Sequence, residues 1–189
     1  MEKEWMEKIG VYQHGEIAPK DIVFYPEIRK LCADNVCRVY GKTWACPPAV
    51  GTLDVCREKC CSFQNATVFS GKYSLEDPFD YEGMIAGQQA FKSLCDQVHA
   101  AAGQRYSHFL LLANGSCTKC KTSTYPTTPF RMPETLYPAV EGLASMSVRS
   151  HHKPVSITVV KKTPFFILDC YYMILHENTP EENSSGVFL

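Results

Sequence analysis

Six of the ten cysteines fall between residues 32 and 61, and three of them read Cys32, four residues, Cys37, eight residues, Cys46, the last running straight into Pro47-Pro48. Thiolates are soft, strong ligands for iron, zinc and copper(I), whereas a cysteine that only fills a core has no need of neighbours of its own kind. This group sits among turn residues, where Gly41 can take a backbone angle that other residues resist. The pattern points to a cysteine-ligated metal site built on Cys32, Cys37 and Cys46. Cys56 is the nearest candidate for a fourth ligand. Cys60 lies one helical turn further along the same face as the lesser alternative, and Cys61 points elsewhere.

Spacing also bears on the metal. Cys46-Pro47-Pro48 resembles the Cys-Pro ending of bacterial ferredoxin cluster loops, where proline stiffens the exit of the chain. Structural zinc favours paired knuckles with two to four intervening residues, and of the gaps here (four, eight and nine) only the first fits. A [4Fe-4S] cluster is the expected cofactor, with zinc as the alternative. Such a cluster with four thiolates carries net negative charge, which Arg38, Lys42, Arg57 and Lys59 are placed to offset, while Tyr40 and Trp44 can roof it against water. The tight three-cysteine motif of radical S-adenosylmethionine chemistry is absent.

A second cysteine loop reads Cys117-Thr118-Lys119-Cys120. Two intervening residues are the spacing of a thiol–disulfide couple, but that chemistry wants a strand before the motif and a helix directly after it. The apolar run His108 to Ala113 supplies a strand; 121–133 reads as loop. Cys95 and Cys170 lie in apolar surroundings as small core residues. His151-His152 reads as an exposed pair at a helix end, and His14, His99, His108 and His176 show no ligand spacing. Arg131 reads as a loop anchor, and Glu76, Asp77, Asp80 and Glu82 as an acidic surface patch. There is neither a Gly-rich phosphate loop nor a Gly-x-Ser-x-Gly elbow.

The elements that must position these residues follow from periodicity and punctuation. A short helix and a strand-like stretch, Asp21 to Phe24, precede a loop over Cys32 to Gly51. Thr52 caps a helix from Leu53 to about Phe63. Ala66 to Ser70 is a buried strand. Met84, Gly87, Phe91, Leu94, Cys95, Val98 and Ala102 recur at three and four, which marks a helix over Tyr81 to Ala102. Glu134 to about Arg149 is expected to be helical, though Pro138 disturbs its first turn. Val155 to Val160 and Phe165 to Tyr172 read as two strands joined by Lys161-Lys162-Thr163-Pro164. The fold class is therefore α+β or α/β: a single layered domain over 1–176, with a central mixed sheet, helices packed on it and two cysteine-bearing loops. Residues 177–189 have little to bury and read as a disordered tail.

Bulk properties narrow the role. The 189 residues carry a formal net charge of −1, so no broad basic surface invites nucleic acid. The charged start, Met1 to Lys8, is no export signal, and the longest apolar run, Phe165 to Leu175, contains Asp169 and is too short to span a bilayer. A cytoplasmic location is expected, where clustered cysteines serve metal or redox chemistry rather than disulfides.

Several segments together resemble a bacterial and archaeal family of predicted metal-binding proteins, domain of unknown function 2284. They are Cys32 to Cys46 with Tyr40-Gly41-Lys42-Thr43-Trp44-Ala45-Cys46-Pro47-Pro48, then Cys56-Arg57-Glu58-Lys59-Cys60, then Asp80 to Met84. Cys117 to Lys121, Phe130-Arg131-Met132-Pro133 and Glu141-Gly142 also fit. The resemblance spans about residues 20–175, and implies cysteine-bound metal with no established reaction. The family's second loop resembles Cys-x-x-Cys-x-x-Cys followed by Pro-Cys-Arg-x-Pro. In this chain Ser123 stands at the third position and Phe130 at the fourth, so the resemblance implies one intact site near the N-terminus and a remnant around residue 120.

The function expected is metal binding, with an electron-transfer or redox accessory role served by a redox protein partner. The alternatives are a non-enzymatic module knit by zinc or a cluster, and a thiol–disulfide protein using Cys117 and Cys120.

Overall fold

A computed structural model describes residues 4–143, 145–148, 158–162 and 165–177. His151-His152, the start of the strand expected from Val155, the side-chain packing of Cys170 and the tail beyond Glu177 lie outside the described residues. Helices α1 (Glu4–Lys8), α2 (Pro26–Ala33), α3 (Leu53–Cys61) and α4 (Tyr81–Gly103) alternate with strands β1 (Gln13–Ile17), β2 (Ile22–Phe24), β3 (Asn65–Leu75) and β4 (Phe109–Leu112). Strands β5 (Ser145–Val148), β6 (Thr158–Lys162) and β7 (Phe165–His176) follow.

The main sheet runs β1-β3-β7-β4, and β6 pairs with the free half of β7 beside β4. Its strand pairings are all antiparallel, and β2 pairs with β5 separately. A parallel bridge joins Ala113 to Ala139. The long β7 is central, in register with β3 from Phe166–Leu75 to His176–Asn65.

The sheet is covered on both faces, which explains why β4 is apolar without alternation. Leu111 and its cross-strand partner Ile174 join α4 residues Phe91, Leu94, Cys95 and Val98 in one core. Leu112, Met173 and Leu175 face the other way into a core with Cys56, Cys60 and Phe63 from the α3 side and Ile22 and Phe24 from β2. Side chains one residue apart thus serve opposite cores, as strand geometry requires.

Helix α4 matches the periodicity reading, burying Gly87, Phe91, Leu94, Cys95, Val98 and Ala102 along one stripe. Asp80 caps it, accepting the Gly83 N–H at 2.7 Å and also the Glu76 N–H at 3.1 Å. One member of the expected acidic patch is therefore a structural cap. Gly71 is where β3 meets this helix: a Cβ there would come within 2.7 Å of the Phe91 ring. Thr52 caps α3 as expected, its hydroxyl accepting the Val55 N–H.

Three expectations are corrected. Cys32 lies on the last turn of α2, not in a loop. Lys161 and Lys162 belong to β6, paired with Phe166 and Phe165, rather than to the turn. The helix expected over 134–149 does not form: Pro133–Thr135 makes one 3-10 turn, and β5 starts at Ser145. Around Pro138 the backbone groups bond outward instead. The Ala113 N–H donates to the Pro138 carbonyl at 3.0 Å, and the Ala139 N–H to the Ala45 carbonyl at 2.8 Å. Proline lacks the donor and the room that a helix interior needs. Among the described residues, no helix is long and apolar enough to cross a membrane.

Phe91 is 1% exposed and touches the rings of Phe69 and Tyr73 edge-on. Phe91→Ala is expected to cost about 3–5 kcal/mol, measured by urea unfolding followed by circular dichroism; a loss under about 1 kcal/mol would contradict this packing.

Candidate metal centre

The first cysteine loop is closed by its own backbone. Asn35 and Arg38 both take positive φ, 55° and 61°, and Gly41 follows at 65°. The Asn35 side chain accepts the Tyr40 N–H at 3.1 Å, a local turn suited to an asparagine in the left-handed region. The Gly41 N–H reaches the Pro47 carbonyl at 2.9 Å. These curls return the chain on itself, so Cys37, five residues past Cys32, comes back toward Cys46.

Cys32, Cys37 and Cys46 stand within electrostatic reach of one another. Burial raises the Cys32 thiol first; the charge of Cys37 and then of Glu141 add to it, and Arg29 opposes them. Burial also raises Cys46; Thr43 lowers it by hydrogen bonding, and Cys37, Glu141 and Cys32 raise it further. Glu141 comes from the turn after Ala139. Its backbone carbonyl lies 3.9 Å from Cys32 Sγ, and its carboxylate accepts the Gly115 N–H at 3.1 Å. Burial pushes that carboxyl above the usual range.

Cys56 is held apart from these three by other partners. It is 2% exposed on α3, its thiol donates to the Val50 carbonyl at 3.3 Å, and Arg29 Nη2 donates to its sulfur at 3.2 Å. The same Arg29 nitrogen donates to the Gly51 carbonyl at 2.7 Å. Arg29 therefore stands between Cys32, one helical turn along α2, and Cys56. Cys60 is fully buried in the second core, and burial followed by the charges of Cys56 and Cys61 pushes its thiol up to about 12. Cys61 is exposed and reaches toward the Pro19 carbonyl.

The second cysteine loop faces the first. A cavity of about 440 Å³ lies between Gly41 to Trp44 on one side and Cys117 and Cys120 on the other. The Trp44 indole N–H donates to Thr124 Oγ1 at 3.1 Å, and its ring meets Tyr125 edge-on at 4.9 Å. Trp44 therefore ties the two loops together. No helix follows Cys120: its loop continues through Tyr125 to Met132, where Arg131 anchors it by donating to the Thr122 carbonyl.

The donor set suits a cation bound by sulfur. Cys32 and Cys46 are each raised by burial and by the charge of Cys37, so both gain from a positive centre among the thiols. Arg29 Nε and Asn114 Nδ2 are buried without hydrogen-bond partners among the described residues, and the Thr43 hydroxyl stands beside Cys46, whose charged sulfur accepts from it. Among the described residues no three Cys, His, Asp or Glu side chains already close on a single ion. The nine described cysteines form no disulfide with one another.

Of the cations expected around the site, Arg57 instead pairs with Asp54 and covers the Phe24 ring. The residues that sequence reading missed are Arg29, Lys92 and Glu141. Lys92 extends from α4 to donate to the Ser116 carbonyl at 2.9 Å and feels the charges of Cys117, Cys95, Glu141 and Cys46. Arg29 left a signal, three residues before Cys32 on one helix, and Glu141 stood in the Glu141-Gly142 element of the family resemblance with no role attached.

A family model described as predicted metal-binding protein (DUF2284) matches residues 15–164. No curated protein and no solved structure matches the chain.

Because Cys32 and Cys46 are held above their ordinary range, ligation must release their protons, and binding strengthens as pH rises. Zinc affinity, measured by chelator competition, is expected to fall about tenfold or more from pH about 8 to about 6; a pH-independent affinity would contradict thiolate ligation. Arg29→Met removes the cation that lowers Cys32 and Cys56, so alkylation of both by iodoacetamide in the metal-free chain should slow. Unchanged rates would show that Arg29 does not act on them.

Proposed function

We propose, on the premise that this chain belongs to the predicted metal-binding family whose model it matches, that it is a redox accessory protein whose working part is a cysteine-ligated [4Fe-4S] cluster. The observation that carries the reading is the mutual approach of Cys32, Cys37 and Cys46 around a loop curled by three positive-φ residues. Cys56 is the fourth ligand in this reading, since Arg29 links its sulfur to the neighbourhood of Cys32. A bound cluster would supply one-electron chemistry. Arg29 and Lys92 offset the negative charge of the thiolates, Thr43 donates to Cys46, and the Trp44–Thr124 bond closes the second loop over the site.

Iron is favoured over zinc because only one of the three gaps matches a zinc knuckle. The cytoplasm suits thiol ligands that must stay reduced, and a redox protein is the partner such a centre requires. Cys117 and Cys120 keep a supporting role at the cavity wall, without thiol–disulfide turnover, because no helix follows them to stabilise a thiolate.

The test is iron and acid-labile sulfide analysis of protein purified without oxygen, with dithionite bleaching of the visible spectrum. Cys32→Ala, Cys37→Ala and Cys46→Ala should each lose most of the iron, Cys56→Ala a large part, and Cys117→Ala almost none. Zinc without sulfide would instead support a structural metal. Full occupancy in Cys46→Ala would overturn the ligand set.

A further inference from the structure

A second cavity, of about 590 Å³, opens between α4 and the second cysteine loop, within the size range of small-ligand sites. Ile85, Lys92 and Asp96 line it from α4, Cys117 and Lys119 from the loop, and Tyr137 from the segment before β5. Its wall includes none of Cys32, Cys37 and Cys46, so a ligand could bind there whether or not the thiols hold a metal.

The charges in this wall are unequally committed. Lys119 pairs with Asp96 and lies over the Tyr137 ring. Asp96 also accepts the Tyr137 hydroxyl at 2.8 Å, so its oxygen Oδ1 serves two donors. Lys92 gives one N–H to the Ser116 carbonyl, and an ammonium carries three. Its other two find no hydrogen-bond acceptor among the described residues. Glu141, the nearest carboxylate behind it, does not line the cavity and is occupied with the Gly115 N–H. One half-buried ammonium therefore faces the space with two N–H groups unused, and Ile85, Ala113 and the Tyr137 ring offer apolar wall beside it.

We propose that this cavity binds a small organic monocarboxylate, with the carboxylate on Lys92 Nζ and the carbon skeleton against Ile85, Ala113 and Tyr137. Two unused N–H groups on a single cation suit the two oxygens of one carboxylate. A phosphate dianion would leave excess negative charge beside Asp96 and the cysteines.

The test is titration calorimetry of the full chain at fixed ionic strength, its metal content recorded, with butyrate, lactate and pyruvate as probes and inorganic phosphate in parallel. Saturable binding of a monocarboxylate is expected. Lys92→Met should weaken it at least about tenfold, as loss of a charged hydrogen bond implies, while Lys92→Arg retains most of it and Lys72→Met, on β3 and outside the cavity wall, changes nothing. Ile85→Trp fills the cavity from an exposed position on α4 and should abolish binding, which keeps the proposal testable if Lys92→Met fails to fold. Unchanged metal content in Ile85→Trp, a position with no part in the thiol centre, separates loss of this site from loss of that centre. No saturable binding, tighter binding of phosphate than of any monocarboxylate, or undiminished affinity in both Lys92→Met and Ile85→Trp overturns the proposal.

Discussion

Three backbone hydrogen bonds at the turn around Ala139 determine where everything functional sits. The Ala139 N–H donates to Ala45, next to Cys46, while the Val140 N–H donates to Ala113 and the Ala113 N–H to Pro138. The turn is thus stitched to the first cysteine loop on one side and to the end of β4 on the other. Gly142 allows the close approach, since a Cβ there would come within 3.1 Å of both Pro47 Cδ and the Ala139 carbonyl. Without this stitching, two loops some seventy residues apart in sequence would have no common anchor. With it, Glu141 is set beneath the thiols and the second loop starts from the same point.

The electrostatics follow from that placement. Burial holds Cys32 and Cys46 protonated, and each like charge added beside them costs more in the absence of a counter-charge. The fold brings two cations near them, Arg29 from α2 and Lys92 from α4, from different chain segments and on different sides. Arg29 is committed by hydrogen bonds to Gly51 and Cys56. Lys92 retains donors that face the larger cavity. The same cation that bears on the thiols can therefore also serve a ligand in the neighbouring space.

Much of the scaffold was legible in the sequence because local signals and tertiary demands agreed. Helix α4 showed its buried stripe from Gly87 to Ala102, with Met84 at its start only partly buried, α3 carried its threonine cap, and the apolar run of β4 needed two covered faces, which it has. Strand β1, Gln-His-Gly-Glu-Ile, has almost no apolar pattern and owes its form to pairing with β3. Residues 134–149 carried a helical pattern that tertiary hydrogen bonding around Pro138 overrode. The grouping of the cysteines was visible from spacing, but which charges bear on them was not. Lys92 and Glu141 meet the thiols only through contacts between distant segments, and no local pattern encodes such contacts. That Cys56 and Cys60 are packed into a hydrophobic core was likewise beyond the reach of spacing.

Iron X-ray absorption on the chain loaded in the absence of oxygen tests most directly whether sulfur from the first loop surrounds one iron centre. A first shell of sulfur with a second shell of neighbouring iron is the predicted result. A first shell of nitrogen and oxygen, or iron that leaves on simple desalting, would contradict it.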